Sequence, residues 1–210
     1  MINYLSPDEH DLVVELMNIG VGKAAASLSQ IADDEVTLCV PKLEFLTYDE
    51  AESAFNERLS VALSGVSQEF KGFIGGTATL LFPEARSLDL VTAMLGEELD
   101  DDIELDAELE QEVLSELGNI LLNNCLSTIA NILGESLHTD LPTTFHIESD
   151  SLLKHLSKGE EPKSVVVMLL TIDFSLKHKD LSGHLVFTID FSIVDTFKEA
   201  LQNYLNELGE

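Results

Sequence analysis

Two spacings of apolar residues alternate along the chain. Leu12, Leu16, Ile19, Leu28 and Ile31 recur at helical intervals. Ser6, Pro7, Asp8 and Glu9 precede them, supplying an N-cap hydroxyl, a proline at the first helical position and acids at the positive end of the helix dipole. These signals predict a helix from residue 6 to about residue 30. Residues 35–46 read as a strand, and Pro41 within it places that point at a sheet edge or a bulge. A short helical stretch at 48–56 leads to residues 59–66 and 70–82, an apolar hairpin with Gly72, Gly75 and Gly76 near its turn. Pro83 opens a helix that ends at Gly96.

The same order then repeats: a long helix at 107–133, a segment carrying Pro142, a short helix at 150–156, strands at 164–176 and 184–191, and an amphipathic helix at 192–208. Gly76 and Gly183 are expected to hold equivalent places, making the second hairpin longer. A duplication of about 100 residues implies two halves related by pseudo-two-fold symmetry. Each half offers three strands, too few to cover its helices. The expected architecture is therefore one domain over 1–210, built from repeats at about 1–102 and 103–210. Its fold class is α/β (α+β): an internally duplicated sandwich with a mostly antiparallel sheet and long helices on its faces.

One detail of the repeat is chemical. Residues 11–18 read DLVVELMN and residues 112–119 read EVLSELGN. At about 100° per residue, Asp11, Glu15 and Asn18 fall within roughly 60° on one helix face, as do Glu112, Glu116 and Asn119. Pro41 and Pro142 follow at the same interval of 101 residues, while neighbouring exposed positions differ. A wet helix face explains acids, but not a matched acid, glutamate, asparagine and proline in both halves. Gly20 and Gly22 each cost about 1 kcal/mol in a helix interior, which points to something approaching that backbone closely.

Charge narrows the partners. Thirty-nine acidic against 11 basic residues give a formal charge of −28. Phosphate backbones and anionic lipid would repel such a surface, so neither nucleic acid nor membrane is expected as a partner. Between residues 97 and 112 ten of sixteen residues are acidic, which reads as a solvated linker between the halves. Neither a signal peptide nor 18 uninterrupted apolar residues occurs, which reads as cytoplasmic. Cys39 and Cys125 form no framework or metal motif and are expected as small core residues.

Metal ligation by the stripes lacks a histidine partner, and an exposed carboxylate pair lacks the burial that a glycosidase acid needs. NIGVGKAA is no phosphate loop, because the Lys-Ser/Thr ending is missing. Glutamate beside asparagine on a convex helix suits docking into another protein's active site. There a carboxamide can accept from a water with its oxygen and donate with its nitrogen, orienting the water toward an acyl phosphate.

Asp11, Glu15, Asn18 and Pro41, matched by Glu112, Glu116, Asn119 and Pro142, resemble the signature of the CheC, CheX and FliY phosphatases of bacterial chemotaxis. Two copies in 210 residues look like the two-site CheC type. The resemblance implies a hydrolase, a protein aspartyl-phosphate phosphatase acting on a phosphorylated CheY-like response regulator in two-component signalling. Asn18 and Asn119 would orient the water, and Glu15 and Glu116 would pair with the regulator's lysine. Asp11, Glu112, Pro41 and Pro142 would support the motif, although Glu112 departs from the family's opening Asp or Ser. No cofactor is implied for the chain itself, since Mg²⁺ would sit on the regulator. CheD is a further candidate partner. The alternative is a binding module that sequesters a receiver or a CheD-like protein without turnover.

Overall fold

A computed structural model describes residues 4–32, 35–59, 61–95, 107–157, 165–176 and 179–209. In chain order these form α1 (Pro7–Ala32), β1 (Val36–Thr47), α2 (Tyr48–Arg58), β2 (Leu63–Gly72), β3 (Gly76–Pro83) and α3 (Glu84–Leu95). Then follow α4 (Ala107–Ile132), β4 (Leu137–Thr139), β5 (Thr143–Ile147), α5 (Ser149–Leu156), β6 (Val165–Leu176), β7 (Lys179–Asp190) and α6 (Val194–Leu208). A single 3-10 turn at Phe191–Ile193 leads into α6. The acidic run at 97–106 lies outside the described residues.

The strands form one antiparallel sheet in the order β1-β6-β7-β3-β2, with β4 and β5 both on the outer side of β2. This is the α/β class with a mostly antiparallel sheet that the repeat predicts. Its order also reveals an exchange: β1 of the first half pairs with β6 of the second, and β4 and β5 of the second pair with β2 of the first. Alternate residues of each strand serve opposite faces. Met168, Leu170 and Ile172 join the core under α1, α3, α4 and α6, while Val165, Val167 and Leu169 pack beneath α2 and α5.

Three expectations need correction. Four strands, not three, come from the second half, because the counterpart of β1 is broken around Pro142 into β4 and β5. β7 begins at Lys179 rather than 184, since pairing with β6 draws KDLSG into the ladder. Gly76 is matched by Leu181, not Gly183. Phe70 pairs with Gly76 and Thr139, whereas Phe174 pairs with Leu181 and Leu38, 101 residues before Thr139. The proline expectation holds at both edges. Between Cys39 and Lys42 the edge strand advances three residues while β6 advances two, and from Thr139 to Thr143 it advances four while β2 advances three. One extra residue is accommodated in each case, as at a bulge.

By length and composition α1 could span a bilayer. Here Val13, Leu16, Met17 and Val21 are at most 1% exposed and pack in the core. Ile31 is not among them; it is 53% exposed, one residue before the helix ends. Strand parity likewise turns Cys39 outward while Val36, Leu38 and Val40 point in, so only Cys125 is the buried cysteine expected. Burial pushes the Cys125 thiol up to about 12.

Helix α1 is capped as its sequence indicates. The Ser6 amide donates to Glu9 Oε2 at 2.6 Å, and the Glu9 amide to Ser6 Oγ at 3.3 Å, a reciprocal capping box. Gln202 on α6 donates to Glu9 Oε1 at 2.7 Å, tying the last helix to the first. Burial alone would raise the Glu9 carboxyl, but hydrogen bonds from Ser6 and Gln202 and the nearby Lys198 together outweigh it and lower its pKa.

The expected close approach occurs at Gly20 and not at Gly22. A Cβ on Gly20 would sit 2.8 Å from the Cα of Cys125 on α4, whereas one on Gly22 would meet nothing within 4 Å. Gly20→Ala should therefore destabilise by about 1–3 kcal/mol through overpacking. Gly22→Ala should stabilise by about 0.5–1 kcal/mol through helix propensity. Urea denaturation of the two variants checks both signs. Glu9→Ala should cost about 1 kcal/mol at pH 7. Because the folded pKa of Glu9 is lowered, its contribution is complete above the ordinary value of 4.5 and is lost as pH falls through the folded value. The stability gap between Glu9→Ala and the parent should narrow as urea melts are moved to acid pH.

Candidate functional site

Each polar stripe occupies the outer side of a helix whose inner side is consumed by the core. On α1, Asp11, Glu15 and Asn18 are exposed while Val13, Leu16, Met17 and Gly20 are buried. On α4, Glu112 and Glu116 are exposed and Asn119 is half-buried, with Leu114, Leu117, Gly118 and Leu121 inside. The structure thus brings together each acid–glutamate–asparagine trio. Pro41 lies between Cys39 and Lys42, where β1 shifts register, and half-buried Pro142 lies between β4 and β5. Neither proline belongs to a stripe; each lies where an edge strand shifts register.

The stripes are convex surfaces rather than clefts. A groove of about 770 Å³, lined by Tyr4, Leu5, Phe45, Glu50 and Arg58 among others, reaches Asp11 and His10 but none of the other stripe residues. His10 Nδ1 stands 3.7 Å from Asp11 Oδ1. Among the described residues, no three His, Cys, Asp or Glu side chains converge as metal ligands. Such a surface can present carboxylates and carboxamides to a partner's cavity.

The two asparagines differ in their surroundings. Asn18 has no side-chain hydrogen bond among the described residues, and Gly22 one turn on leaves open space beside it. Asn119 Oδ1 accepts from Asn123 Nδ2 at 2.7 Å. Asn123 Oδ1 accepts in turn from Thr139 Oγ1 at 2.9 Å and from Gln68 Nε2 at 3.3 Å. Asn123, Thr139 and Gln68 were not among the residues the motif singles out. Asn123 replaces Gly22 in the repeat, a change legible in the sequence as bulk; an asparagine one turn from another on the same face was the signal for a hydrogen bond.

The chain is 23% identical over 207 residues to CheC of Bacillus subtilis (strain 168), a CheY-P phosphatase, with 95% of each chain covered. The crystal structure of FliY from Thermotoga maritima superposes with a TM-score of 0.74 at 21% identity, covering 97% of this chain and all of that one. The FliM middle domain from H. pylori superposes with a TM-score of 0.64 at 11% identity, covering 93% of this chain and 99% of its own. No protein-family model matches the chain. The chain is thus similar to CheC along nearly its whole length and shares the fold of FliY.

Proposed function

We propose that the chain is a cytoplasmic phosphatase that hydrolyses the aspartyl phosphate of a CheY-like receiver domain in chemotaxis signalling. The observation that carries this reading is the exposed glutamate–asparagine pair on α1, Glu15 with Asn18, repeated on α4 as Glu116 with Asn119. The similarity to a CheY-P phosphatase supports it. Glu15 or Glu116 meets a lysine beside the phosphorylated aspartate and fixes the docking register. The asparagine Oδ1 accepts a hydrogen bond from a water while Nδ2 donates to an oxygen of the partner, which aims the water in line with phosphorus. As the new P–O bond forms, the aspartyl P–O bond breaks, releasing inorganic phosphate and a free carboxylate. The Mg²⁺ would belong to the receiver, not to this chain.

The fold is shared with FliM middle domains, so fold does not choose between turnover and binding alone. The asparagines do. A module that only sequestered a receiver or a CheD-like protein could dock through its glutamates and would tolerate many residues at 18 and 119.

Timed loss of phosphate from a phosphorylated receiver is the deciding measurement. Asn18→Ala with Asn119→Ala should abolish most of the acceleration. The Asn18 change should alter stability by only about ±0.5 kcal/mol, and the Asn119 change by about 1 kcal/mol through its lost hydrogen bond. Full activity in the double variant would sink the mechanism. Disabling one stripe, by Glu15→Ala with Asn18→Ala or by Glu116→Ala with Asn119→Ala, should leave a slower enzyme. Complete loss from either pair alone would show that the stripes act as one unit. With a charge of −28, affinity for a receiver with a basic docking face should weaken as ionic strength rises past about 0.15 M, where the Debye length is about 8 Å. Titrations across a salt series check that trend, and a flat response would contradict it.

A further inference from the structure

The hydrogen bonds behind Asn119 have a fixed direction. They start from the backbone carbonyl of Asp140, next to the Leu141–Pro142 segment, which accepts from Gln68 Nε2 at 2.7 Å. A carbonyl can only accept, so Gln68, 2% exposed on β2, must turn its NH₂ that way. Its Oε1 is left buried with no hydrogen-bond partner among the described residues. The same NH₂ donates to Asn123 Oδ1, where Thr139 Oγ1 donates as well. With its oxygen committed to two donors, Asn123 turns its NH₂ toward Asn119 and donates to the Asn119 oxygen.

The region behind α1 lacks every side chain of this relay. Gly22 stands 101 residues before Asn123, and Leu38 stands 101 before Thr139. Leu38 pairs with Phe174 as Thr139 pairs with Phe70; two residues before each phenylalanine, Ile172 occupies the place of Gln68. Ile172 and Leu38 are buried and apolar.

We propose that Asn123, backed by Gln68 and Thr139, is a positioning residue that holds the Asn119 carboxamide in one orientation before a partner docks. One lone pair of Asn119 Oδ1 is engaged by Asn123, and the second is available to a water. Asn18 must lose its rotational freedom at each encounter; Asn119 has already lost it. The structural half of this proposal stands alone. The kinetic half rests on the phosphatase reading and makes the α4 stripe the faster of the two, because prior orientation lowers the entropic cost of reaching the reactive geometry.

The test has two arms on the full-length chain. Nitrogen-15 relaxation of the side-chain amides should place Asn119 near the rigid limit, with an order parameter about 0.85, and Asn18 in the mobile range below about 0.6. Asn123→Gly should move Asn119 into that range. Separately, in an Asn18→Ala background that leaves only the second stripe, Asn123→Asp keeps the side chain's shape but removes the donor. It should lower kcat by about tenfold or more while KM changes by less than about twofold. Asn123→Gly should match it, whereas a residue that merely stabilised α4 would show its effect in thermal unfolding and not in kcat. An Asn119 amide as mobile as that of Asn18, or unchanged kcat in both variants, overturns the positioning role. A rigid Asn119 amide freed by Asn123→Gly in a protein whose parent releases no phosphate supports the positioning role and overturns the phosphatase reading.

Discussion

Exchange of edge strands is the constraint on which the remaining structure depends. β1 can be hydrogen-bonded only because β6, from the other half, lies beside it, and β4 and β5 stand in the same relation to β2. Each edge strand follows a long helix in sequence. Placing the two strands on opposite edges of one sheet lays α1 and α4 across the same face, where they meet at Gly20 and Cys125. A side chain at residue 20 would force the helices apart, which explains a glycine where helix propensity argues against one. Once the inner sides are buried, only the outer sides face solvent. The polar stripes lie on those outer sides, together with exposed Lys23 and Gln30 on α1 and Gln111 and Ser127 on α4.

Long elements were readable because their signals were local. The period of 3.6, the Ser6 capping box and the prolines at 7 and 83 mark helix starts without help from distant residues. What escaped was decided by pairing. KDLSG carries turn residues and joins β7 only because β6 extends far enough to bond it. The broken edge strand around Pro142 and the match of Gly76 to Leu181 follow from ladder register, which no single segment encodes. Cys39 illustrates the cost of parity: in a strand, a shift of one residue exchanges inside for outside.

At the candidate site the legible part was the exposed part. The acid, glutamate and asparagine could be read because helical spacing alone puts them on one face. Their supports could not, since Gln68 and Thr139 reach α4 across sequence gaps that a spacing argument does not cross. Both motif prolines were visible, but their shared effect appears only in the ladder: one extra residue in each edge strand. After that residue the second half reaches Pro142 with the Asp140 carbonyl turned toward Gln68, so the edge strand helps to set the direction of the hydrogen bonds behind Asn119.

This makes the difference between the halves informative. Packing alone favours the arrangement behind α1, where Ile172, Leu38 and Gly22 leave no polar group to satisfy. The arrangement behind α4 instead buries Gln68 of β2 with its Oε1 unpaired among the described residues, which costs about 1–3 kcal/mol for a group taken from water without a partner. An apolar residue at 68 would avoid that cost, as Ile172 does. This buried polar group stands directly behind a candidate reactive side chain and spends its NH₂ on the Asp140 carbonyl and on Asn123, so the orientation it imposes on Asn123 accounts for its place there. The two stripes share one pattern on their outer faces, and the chain beneath them has diverged: α1 presents a free carboxamide and α4 presents a fixed one.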